Sequence, residues 1–328
     1  MDRELIGDIG GTNARFALVD PRAATLELLE QRTLKAAEFA SLQHAAERYL
    51  ADVGAKPKRA SIAVACPVTG DAIRLTNRAW SFSQAELKRA LALDELRVLN
   101  DFGAVARAIP ALAPHERETL HPGAEVRTMP LSPISVIGPG TGLGVGLLVG
   151  DSRNGWHVIE TEGGHVTFAP LGDEEQRIAR WLNARHGRTS YERLLSGPGI
   201  STIDQVLAAG DEPSLDALAE PPRDPSTIVT AALEGHDLTA RQALARFCAV
   251  LGSFAGDAVL LHGARTVMIA GGIVPRFIPF LRSSAFRERF LAKGRFAALL
   301  ETVAIHIVTH PQPGLLGAAV ALREPKHP

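Results

Sequence analysis

A short polar run near the start of the chain combines a carboxylate with glycines. Asp8 is followed by Gly10, Gly11, Thr12 and Asn13, between two apolar segments. Glycines let backbone amides approach phosphate oxygens closely, and the threonine hydroxyl can donate a further hydrogen bond. The run therefore indicates a phosphate-binding turn, with Asp8 near a bound Mg²⁺ through water. Paired glycines among polar residues are also ordinary hairpin chemistry, so a plain turn is the alternative.

A second glycine turn stands in the middle of the chain. The apolar segments 134–137 and 145–149 flank a turn that contains Gly140, Thr141 and Gly142. Its glycine and threonine take the same place as those of the first turn, which predicts that the two turns grip a phosphate chain from two sides. A flexible linker is the alternative, but the flanking segments are regularly apolar.

Other nucleotide motifs are absent or incomplete. The chain has no GxxxxGK[ST] sequence, and its second glycine turn reads GxGxG and leads into a predicted strand, so it is not a dinucleotide fingerprint. Residues 101–103 spell Asp-Phe-Gly, yet neither the catalytic loop nor the lysine motif of protein kinases accompanies them. We interpret that triplet as coincidence.

An amide and a carboxylate follow the predicted strand 97–99. Asn100 and Asp101 would lie at its carboxyl end, where ligands of α/β sheets usually bind. Asp101 is the candidate general base for transfer of a phosphoryl group to a hydroxyl, and the amide of Asn100 suits sugar hydroxyls. The alternatives are a helix N-cap for Asp101 and a turn residue for Asn100. A helix start would also hold the carboxylate rigidly.

Three further polar side chains suit hydroxyl groups. Glu162 and His165 flank a Gly-Gly pair and can hydrogen-bond adjacent hydroxyls of a sugar ring, unless they form a solvated hairpin tip. Glu192 is ambiguous, because residues 189–192 also match a capping box.

The elements that must position these residues alternate between strands and helices. Strands are predicted at 5–9, 15–20, 60–65, 134–137 and 266–270. Helices are expected from caps at Ser83 and Thr239, and residues 111–133, rich in Pro, Gly and charge, read as a connection between two halves. The pattern predicts an α/β protein with two related domains.

Composition narrows the class of protein. The chain has 328 residues, so about two domains are expected, and its net charge of −1 gives no reason to expect nucleic acid or an anionic membrane as a partner. Cys66 and Cys248 form no metal-binding cluster and are interpreted as reduced packing residues. The first residues lack the features of a secretory signal, and no uninterrupted apolar run reaches 18 residues. A cytoplasmic location is therefore expected.

The motifs together resemble those of bacterial glucokinases, in the hexokinase and actin-like ATPase superfamily, of the group without a zinc-binding cysteine cluster. The resemblance runs nearly end to end and is carried by residues 7–15, 65–71, 76–77, 100–102, 140–144, 162–166, 192–199, 269–277 and 313–317.

This resemblance implies a fold and a reaction. The fold would be two actin-like, ribonuclease H-like α/β domains, each with a mixed central sheet, separated by a cleft that closes on sugar: residues 1–110 plus 312–328, and residues 111–311. The reaction would be transfer of the γ-phosphoryl group of Mg-ATP to the 6-hydroxyl of glucose, the first step of glycolysis. Family members are commonly homodimers, which the sequence neither supports nor contradicts.

The resemblance also implies roles for individual residues. Asn100, Asp101, Glu162, His165 and Glu192 would hold the sugar, with Asp101 as the base. Gly10, Gly11, Thr12, Thr141 and Gly142 would surround the phosphates, and Gly271 and Gly272 would lie against the adenosine.

Other functions stay open from the sequence. The acceptor could be fructose, mannose or an amino sugar, and the donor could be ADP or polyphosphate. A sugar-responsive repressor would need a DNA-binding segment before Asp8, for which the sequence leaves no room. A chaperone-like or filament-forming ATPase could share the fold.

Overall fold

The computed structural model describes residues 3–75, 80–124, 132–210 and 221–325. Thr76 and Asn77, which contribute to the resemblance, lie outside the described residues. The chain divides into two compact units: unit 1 comprises Met1–Ala113, Ser152–Glu160 and His310–Pro328, and unit 2 comprises Pro114–Asp151 and Thr161–Thr309. The domain boundaries implied by the resemblance stay a prediction.

Strands and helices alternate through both units. Within the described residues the strands are β1 Glu4–Ile9, β2 Asn13–Val19, β3 Leu29–Lys35, β4 Arg59–Val64, β5 Ala72–Arg74, β6 Ser81–Ser83, β7 Glu95–Asn100, β8 Arg117–His121, β9 Ile134–Pro139, β10 Leu143–Asp151, β11 Gly155–Thr161, β12 Thr266–Ile269 and β13 Ala304–Val308. The α-helices of the same residues are α1 Leu42–Val53, α2 Gln84–Ala90, α3 Asp101–Ala108, α4 Gly172–His186, α5 Gly197–Ala208, α6 Pro225–Glu234, α7 Leu238–His262, α8 Ile278–Ser283, α9 Phe286–Leu291, α10 Ala297–Glu301 and α11 Pro313–Ala321.

Unit 1 is built on a mixed sheet with the strand order β3-β2-β1-β4-β7. β1 pairs with β2 in antiparallel fashion and with β4 in parallel fashion, and β4 pairs with β7 in parallel fashion. The three parallel strands end at one edge of the sheet, which brings the ends of β1, β4 and β7 together. Both faces of the sheet are covered: Leu5 and Ile9 belong to a core shared with α1, and Ile6 belongs to one shared with α11.

The sheet of unit 2 has the order β11-β10-β9-β12-β13-β8. Its first five strands correspond one for one to those of unit 1: an antiparallel pair, β9 and β10, followed by β12 and β13 in parallel. The expectation of a mixed-sheet α/β protein with two related units is thus confirmed. One prediction was wrong, because β8 lies within the expected connection 111–133 and pairs with β13. Residues 125–131 of that connection lie outside the described residues.

Helix caps were predicted with mixed success. Ser83 caps α2, as predicted, by accepting a hydrogen bond from Glu86 N at 3.1 Å. The cap of α7 is Asp237 rather than Thr239, because the Asp237 carboxylate accepts from Ala240 N at 2.8 Å. Both side chains are good caps, and the backbone leaves the helical conformation at Asp237.

Helix α7 is long and apolar enough to cross a membrane by length and mean hydropathy alone. The search for uninterrupted apolar runs did not register it, because its apolar residues are interspersed with polar ones. Of its most apolar window, 72% is buried inside the protein, where Phe247 and Phe254 belong to the core of unit 2. The helix therefore has the burial of a core helix.

Candidate active site

The first glycine turn joins β1 to β2 in unit 1. Gly10, Gly11 and Thr12 form the turn, and Asn13 opens β2. Gly10 N donates to Asn13 O at 2.9 Å, and Thr12 O accepts from Ala36 N at 2.9 Å. The turn is therefore held on both sides by backbone hydrogen bonds, which suits a rigid cradle for an anion.

Asp8 lies one residue before the end of β1, directly opposite Arg15 on β2. The Arg15 guanidinium is 3.4 Å from the Asp8 carboxylate, whose side chain is 20% exposed. Burial raises the pKa of Asp8, and the charge of Arg15 opposes that effect. A Cβ atom on Gly314 would lie 2.9 Å from Asp8 Cγ, so the glycine at the start of α11 makes room for the carboxylate.

Asp8 was predicted to contact Mg²⁺ through water. Among residues 3–75, 80–124, 132–210 and 221–325, no group of three or more His, Cys, Asp or Glu side chains is placed to hold a metal ion. Mg²⁺ usually keeps several waters and needs only one or two carboxylates when phosphate oxygens complete its ligands. A single partly buried carboxylate beside a glycine turn fits that kind of site.

Asn100 and Asp101 lie where β7 ends and α3 begins. The cap of α3 is Asn100: its Oδ1 accepts from Phe102 N and from Gly103 N, each at 2.9 Å. Its Nδ2 donates to Cys66 O at 3.3 Å, which ties the end of β7 to the segment after β4. The capping interpretation of Asp101 was wrong, because Asn100 has the extended backbone of a cap and the helix begins at Asp101.

Asp101 is thus the first residue of α3. Its Oδ1 accepts from Phe102 N at 2.8 Å, and a carboxylate at this position lies at the positive end of the helix dipole. Its negative charge acts on Cys66, whose pKa is raised first by burial and then by Asp101. The carboxylate is therefore fixed near the carboxyl ends of β4 and β7.

The second glycine turn joins β9 to β10 in unit 2. Gly140, Thr141 and Gly142 form the turn, and Gly140 N donates to Gly142 O at 2.8 Å. Gly140 O accepts from Gly197 N at 2.8 Å, at the start of α5. The turn is therefore anchored by a helix start that lies more than 50 residues further along the chain.

Glu192 contacts this second turn. Its Oε2 accepts from Leu143 N at 2.9 Å, and a Cβ atom on Gly142 would lie 2.5 Å from the same oxygen. The capping-box interpretation of Glu192 was wrong: the 3₁₀ turn Tyr191–Arg193 has no side-chain cap, and Thr189 Oγ1 donates to Asn183 instead. The Glu192 carboxylate is committed to the glycine turn.

Glu162 and His165 flank the 3₁₀ turn Gly163–His165, and both are exposed. His165 N donates to Glu162 O at 3.0 Å. His165 Nε2 lies 3.7 Å from Glu192 Oε1, so the structure brings these two predicted sugar contacts together within unit 2. Gly271 and Gly272 follow β12, where Ala270 N donates to Ile137 O at 2.7 Å. Gly271 has a φ of 89°, a conformation that favours glycine.

Three residues that contact predicted site residues escaped the sequence analysis as site residues. Arg15 carried a usable signal, since it stands opposite Asp8 across a short hairpin. Gly314 belongs to a motif of the resemblance but received no role. Arg188 donates to His165 O at 2.7 Å and gave no local signal. The roles of all predicted site residues stay predictions.

A mixed sheet of this order, repeated in both units with a glycine hairpin in each, defines the actin-like, ribonuclease H-like class of α/β proteins. The chain matches the family model described as Glucokinase over residues 5–325, and so it belongs to the glucokinase family.

Individual relatives agree with that assignment. The glucokinase of Yersinia pestis (strain Pestoides F) is 43% identical over 321 residues, which cover 98% of this chain and 96% of that protein. The crystal structure of a glucokinase from an Antarctic psychrotroph has a TM-score of 0.82 and 36% identity, and covers 98% of this chain and 99% of that one. A ROK family glucokinase from Streptomyces griseus, in complex with glucose and AMPPNP, has a TM-score of 0.65, 19% identity, and coverage of 97% and 98%.

Proposed function

We propose that this protein is an ATP-dependent glucokinase that transfers the γ-phosphoryl group of ATP to the 6-hydroxyl of glucose, giving glucose 6-phosphate. Membership of the glucokinase family makes it a hexose kinase. The structural observation that carries the mechanism is the start of α3, where Asn100 caps the helix and Asp101 is its first residue.

Asp101 is proposed as the general base. A sugar hydroxyl is a poor nucleophile until its proton is removed, and a positioned carboxylate can accept that proton as the phosphoryl group transfers. The helix start fixes the Asp101 carboxylate, and the hydrogen bonds that Asn100 makes to Phe102, Gly103 and Cys66 fix the helix start. Asn100 Nδ2 carries a second hydrogen, which is proposed to contact a sugar hydroxyl.

The remaining sugar contacts are proposed for unit 2. Glu192 uses Oε2 for Leu143 N and keeps Oε1, near His165, for a hydroxyl. Glu162 and His165, at either end of one short turn, suit a pair of adjacent hydroxyls.

The two glycine turns are proposed to bind the nucleotide. Gly10, Gly11, Thr12 and Asn13 in one unit and Gly140, Thr141 and Gly142 in the other offer backbone amides to phosphate oxygens, and Gly271 and Gly272 offer a surface without side chains to the adenosine. Asp8 would hold Mg²⁺ through water. The bound ion would offset the charge of the phosphates.

We further propose that the enzyme is cytoplasmic, acts as a homodimer and feeds glycolysis, with neither nucleic acid nor membrane as a partner. The net charge of −1 supports the last point. Light scattering coupled to size exclusion tests the dimer: a mass near 70 kDa is expected, twice the 34.9 kDa of one chain.

The activity is tested by coupling ADP release to a panel of sugars. Glucose is expected to give the highest kcat/KM among glucose, fructose, mannose and amino sugars, and a higher value for another hexose would reassign the acceptor. ATP turnover that needs no sugar would instead favour an ATPase of the same fold.

Asp101→Asn tests the base. The variant is expected to bind glucose normally but to lose about 10²- to 10⁴-fold in kcat, the usual contribution of a general base. Asp52→Asn, at an exposed carboxylate on α1 that pairs with Arg48, is the matched control. Near-normal turnover of Asp101→Asn would reject the assignment.

A further inference from the structure

Glu192 stands in a turn that cannot hold its own orientation. The 3₁₀ turn Tyr191–Arg193 is a single turn, and no side chain caps its start. The carboxylate of Glu192 has to meet Leu143 N at 2.9 Å and lie beside Gly142, where a Cβ atom would come within 2.5 Å of it. Contacts from outside the turn must therefore set its direction.

Tyr191, the neighbour of Glu192, anchors the turn to helix α7. Its side chain is 3% exposed. Its ring packs edge-on against Phe168, with centroids 5.3 Å apart, and at an angle against Phe254 of α7, at 4.7 Å. The hydroxyl donates to Asp257 Oδ2 at 3.2 Å, on the same helix. Packing fixes the position of the ring, and the hydroxyl fixes its depth and rotation.

Asp257 is itself held by a cation. Lys293 Nζ donates to Asp257 Oδ1 and, at 3.0 Å, to Ser253 O. The Lys293 side chain is 12% exposed, and its stem crosses Gly256, where a Cβ atom would lie 2.6 Å from Lys293 Cε. Phenylalanine at position 191 would supply the same ring packing without an acceptor or its counter-ion, so the polar trio serves direction more than burial.

The same anchor reaches His165. Tyr191 N donates to Val166 O at 3.1 Å, and Thr167 pairs with Ser190 in an isolated bridge. Ser196 Oγ donates to Glu192 O at 2.8 Å from the other side. The turns that carry His165 and Glu192 are thus joined to each other, and Tyr191 joins both to α7.

We propose that Tyr191, Asp257 and Lys293 form a positioning unit that orients Glu192, and through it His165, for binding of the sugar. The inference rests on the proposed function, since it assigns these residues to the glucose-binding step. None of the three is expected to touch the sugar or the phosphates, so their effect falls on glucose affinity and not on nucleotide use.

Tyr191→Phe is the direct test, and the chain supplies a matched control. It has two tyrosines, and Tyr49 is also buried, at 1% exposure, with its hydroxyl donating to Glu30 O at 3.1 Å in unit 1. Tyr191→Phe is expected to raise the KM for glucose about five- to tenfold, the effect of one lost hydrogen bond at a positioning group, and to leave the KM for ATP within about twofold. Tyr49→Phe is expected to change neither.

Equal kinetics for the two variants would overturn the proposal, as would equal increases in both KM values. Calorimetric titration of glucose without nucleotide should show the same loss of affinity for Tyr191→Phe. If the wild-type protein neither binds nor phosphorylates glucose, the proposed function fails; if it does both and Tyr191→Phe matches it, only the positioning role fails.

Asp257→Ala provides a second route that does not depend on Tyr191→Phe folding well. Because both substitutions break the same link, the double variant Tyr191→Phe, Asp257→Ala is expected to raise the KM for glucose no further than the stronger single variant. Multiplicative effects would show that the two residues act separately and would contradict a shared unit.

Discussion

The two glycine hairpins occupy equivalent places in two equivalent sheets but obtain their carboxylates differently. Ala65 N donates to Ile9 O at 3.1 Å in unit 1, and Ala270 N donates to Ile137 O at 2.7 Å in unit 2. These matching bonds align Ile9 with Ile137, and hence Asp8 with Val136. The first hairpin carries a carboxylate within its own strand, whereas the second carries valine at that position.

The second hairpin is also longer. Beyond Ile137 its strands stay paired for two more residues, Gly138 with Gly144 and Pro139 with Leu143, whereas pairing in the first hairpin ends at Ile9 with Ala14. Glu192, 50 residues further on, meets the extended tip at Leu143 N. One sheet plan therefore supports a turn with a buried charge in its strand and a turn with a carboxylate supplied by a distant segment.

Gly142→Ala is the strongest way to break the second arrangement. A Cβ atom at this position would lie 2.5 Å from Glu192 Oε2, so the carboxylate must move away from Leu143 N. Misplacement of a substrate-binding group by about 1 Å costs roughly 10²-fold, and a loss of that size is expected in kcat/KM for glucose. Steady-state kinetics check it, with thermal melting as the control for folding. An unchanged KM for glucose would contradict the proposed role of Glu192.

Gly314→Ala is the corresponding change at the first hairpin. The new Cβ atom would lie 2.9 Å from Asp8 Cγ and would displace a carboxylate proposed to serve the nucleotide. A decrease of about tenfold in kcat/KM for ATP is expected, equal to about 1.4 kcal/mol, with the KM for glucose unchanged. If both glycine variants affected the same substrate, the distinction between the two hairpins would fail.

Asp8→Asn tests the buried charge of the first hairpin through stability. Burial raises the pKa of Asp8 in the folded state. The contribution of such a group to stability is present at low pH and is lost as pH rises through the folded-state pKa, because the folded protein then has to hold a buried charge. At neutral pH the variant is expected to melt about 2 °C higher than the wild type, a gain that vanishes at pH values where Asp8 is protonated in both states.

Melting curves measured from acidic to neutral pH in buffers without Mg²⁺ and nucleotide check this prediction. A gain that did not change with pH would show that burial of the charge is not its cause. Activity is expected to fall in the same variant, since Asp8 is proposed to serve the nucleotide.

Two buried serines give the smallest expected effects and compare the two sheets away from the turns. Ser61 of β4 is fully buried, and its hydroxyl has no partner among the described residues, whereas Ser135 of β9 hydrogen-bonds His262 Nδ1 at 2.8 Å. Ser61→Ala is expected to leave the free energy of unfolding unchanged or to raise it by less than about 1 kcal/mol. Ser135→Ala is expected to lower it by about 1 kcal/mol, because His262 loses its partner. Urea unfolding distinguishes the two, and equal losses would contradict the difference in pairing.

Much of the fold and of the candidate site follows from local pattern. The glycine hairpins, Asp8 in its strand, and Asn100 with Asp101 at a strand end are all set by residues close in sequence, where alternation and turn chemistry act over a few positions. β8 was missed because Pro, Gly and charge around it mask a short edge strand, whose pairing with β13 comes from nearly 190 residues away.

The sequence by itself determined which residues are able to do chemistry: the carboxylates, the amide and the two glycine turns. Only the tertiary structure decided how several of them are used. Asn100 and Asp101 are both good caps, and the backbone conformation at Asn100 made it the cap and left Asp101 inside the helix. Glu192 matched a local capping box, but a backbone amide 49 residues earlier offered it a better hydrogen bond. Local patterns offer a polar group several partners, and long-range packing selects one, because a partly buried carboxylate must be satisfied by whatever donor the fold brings to it.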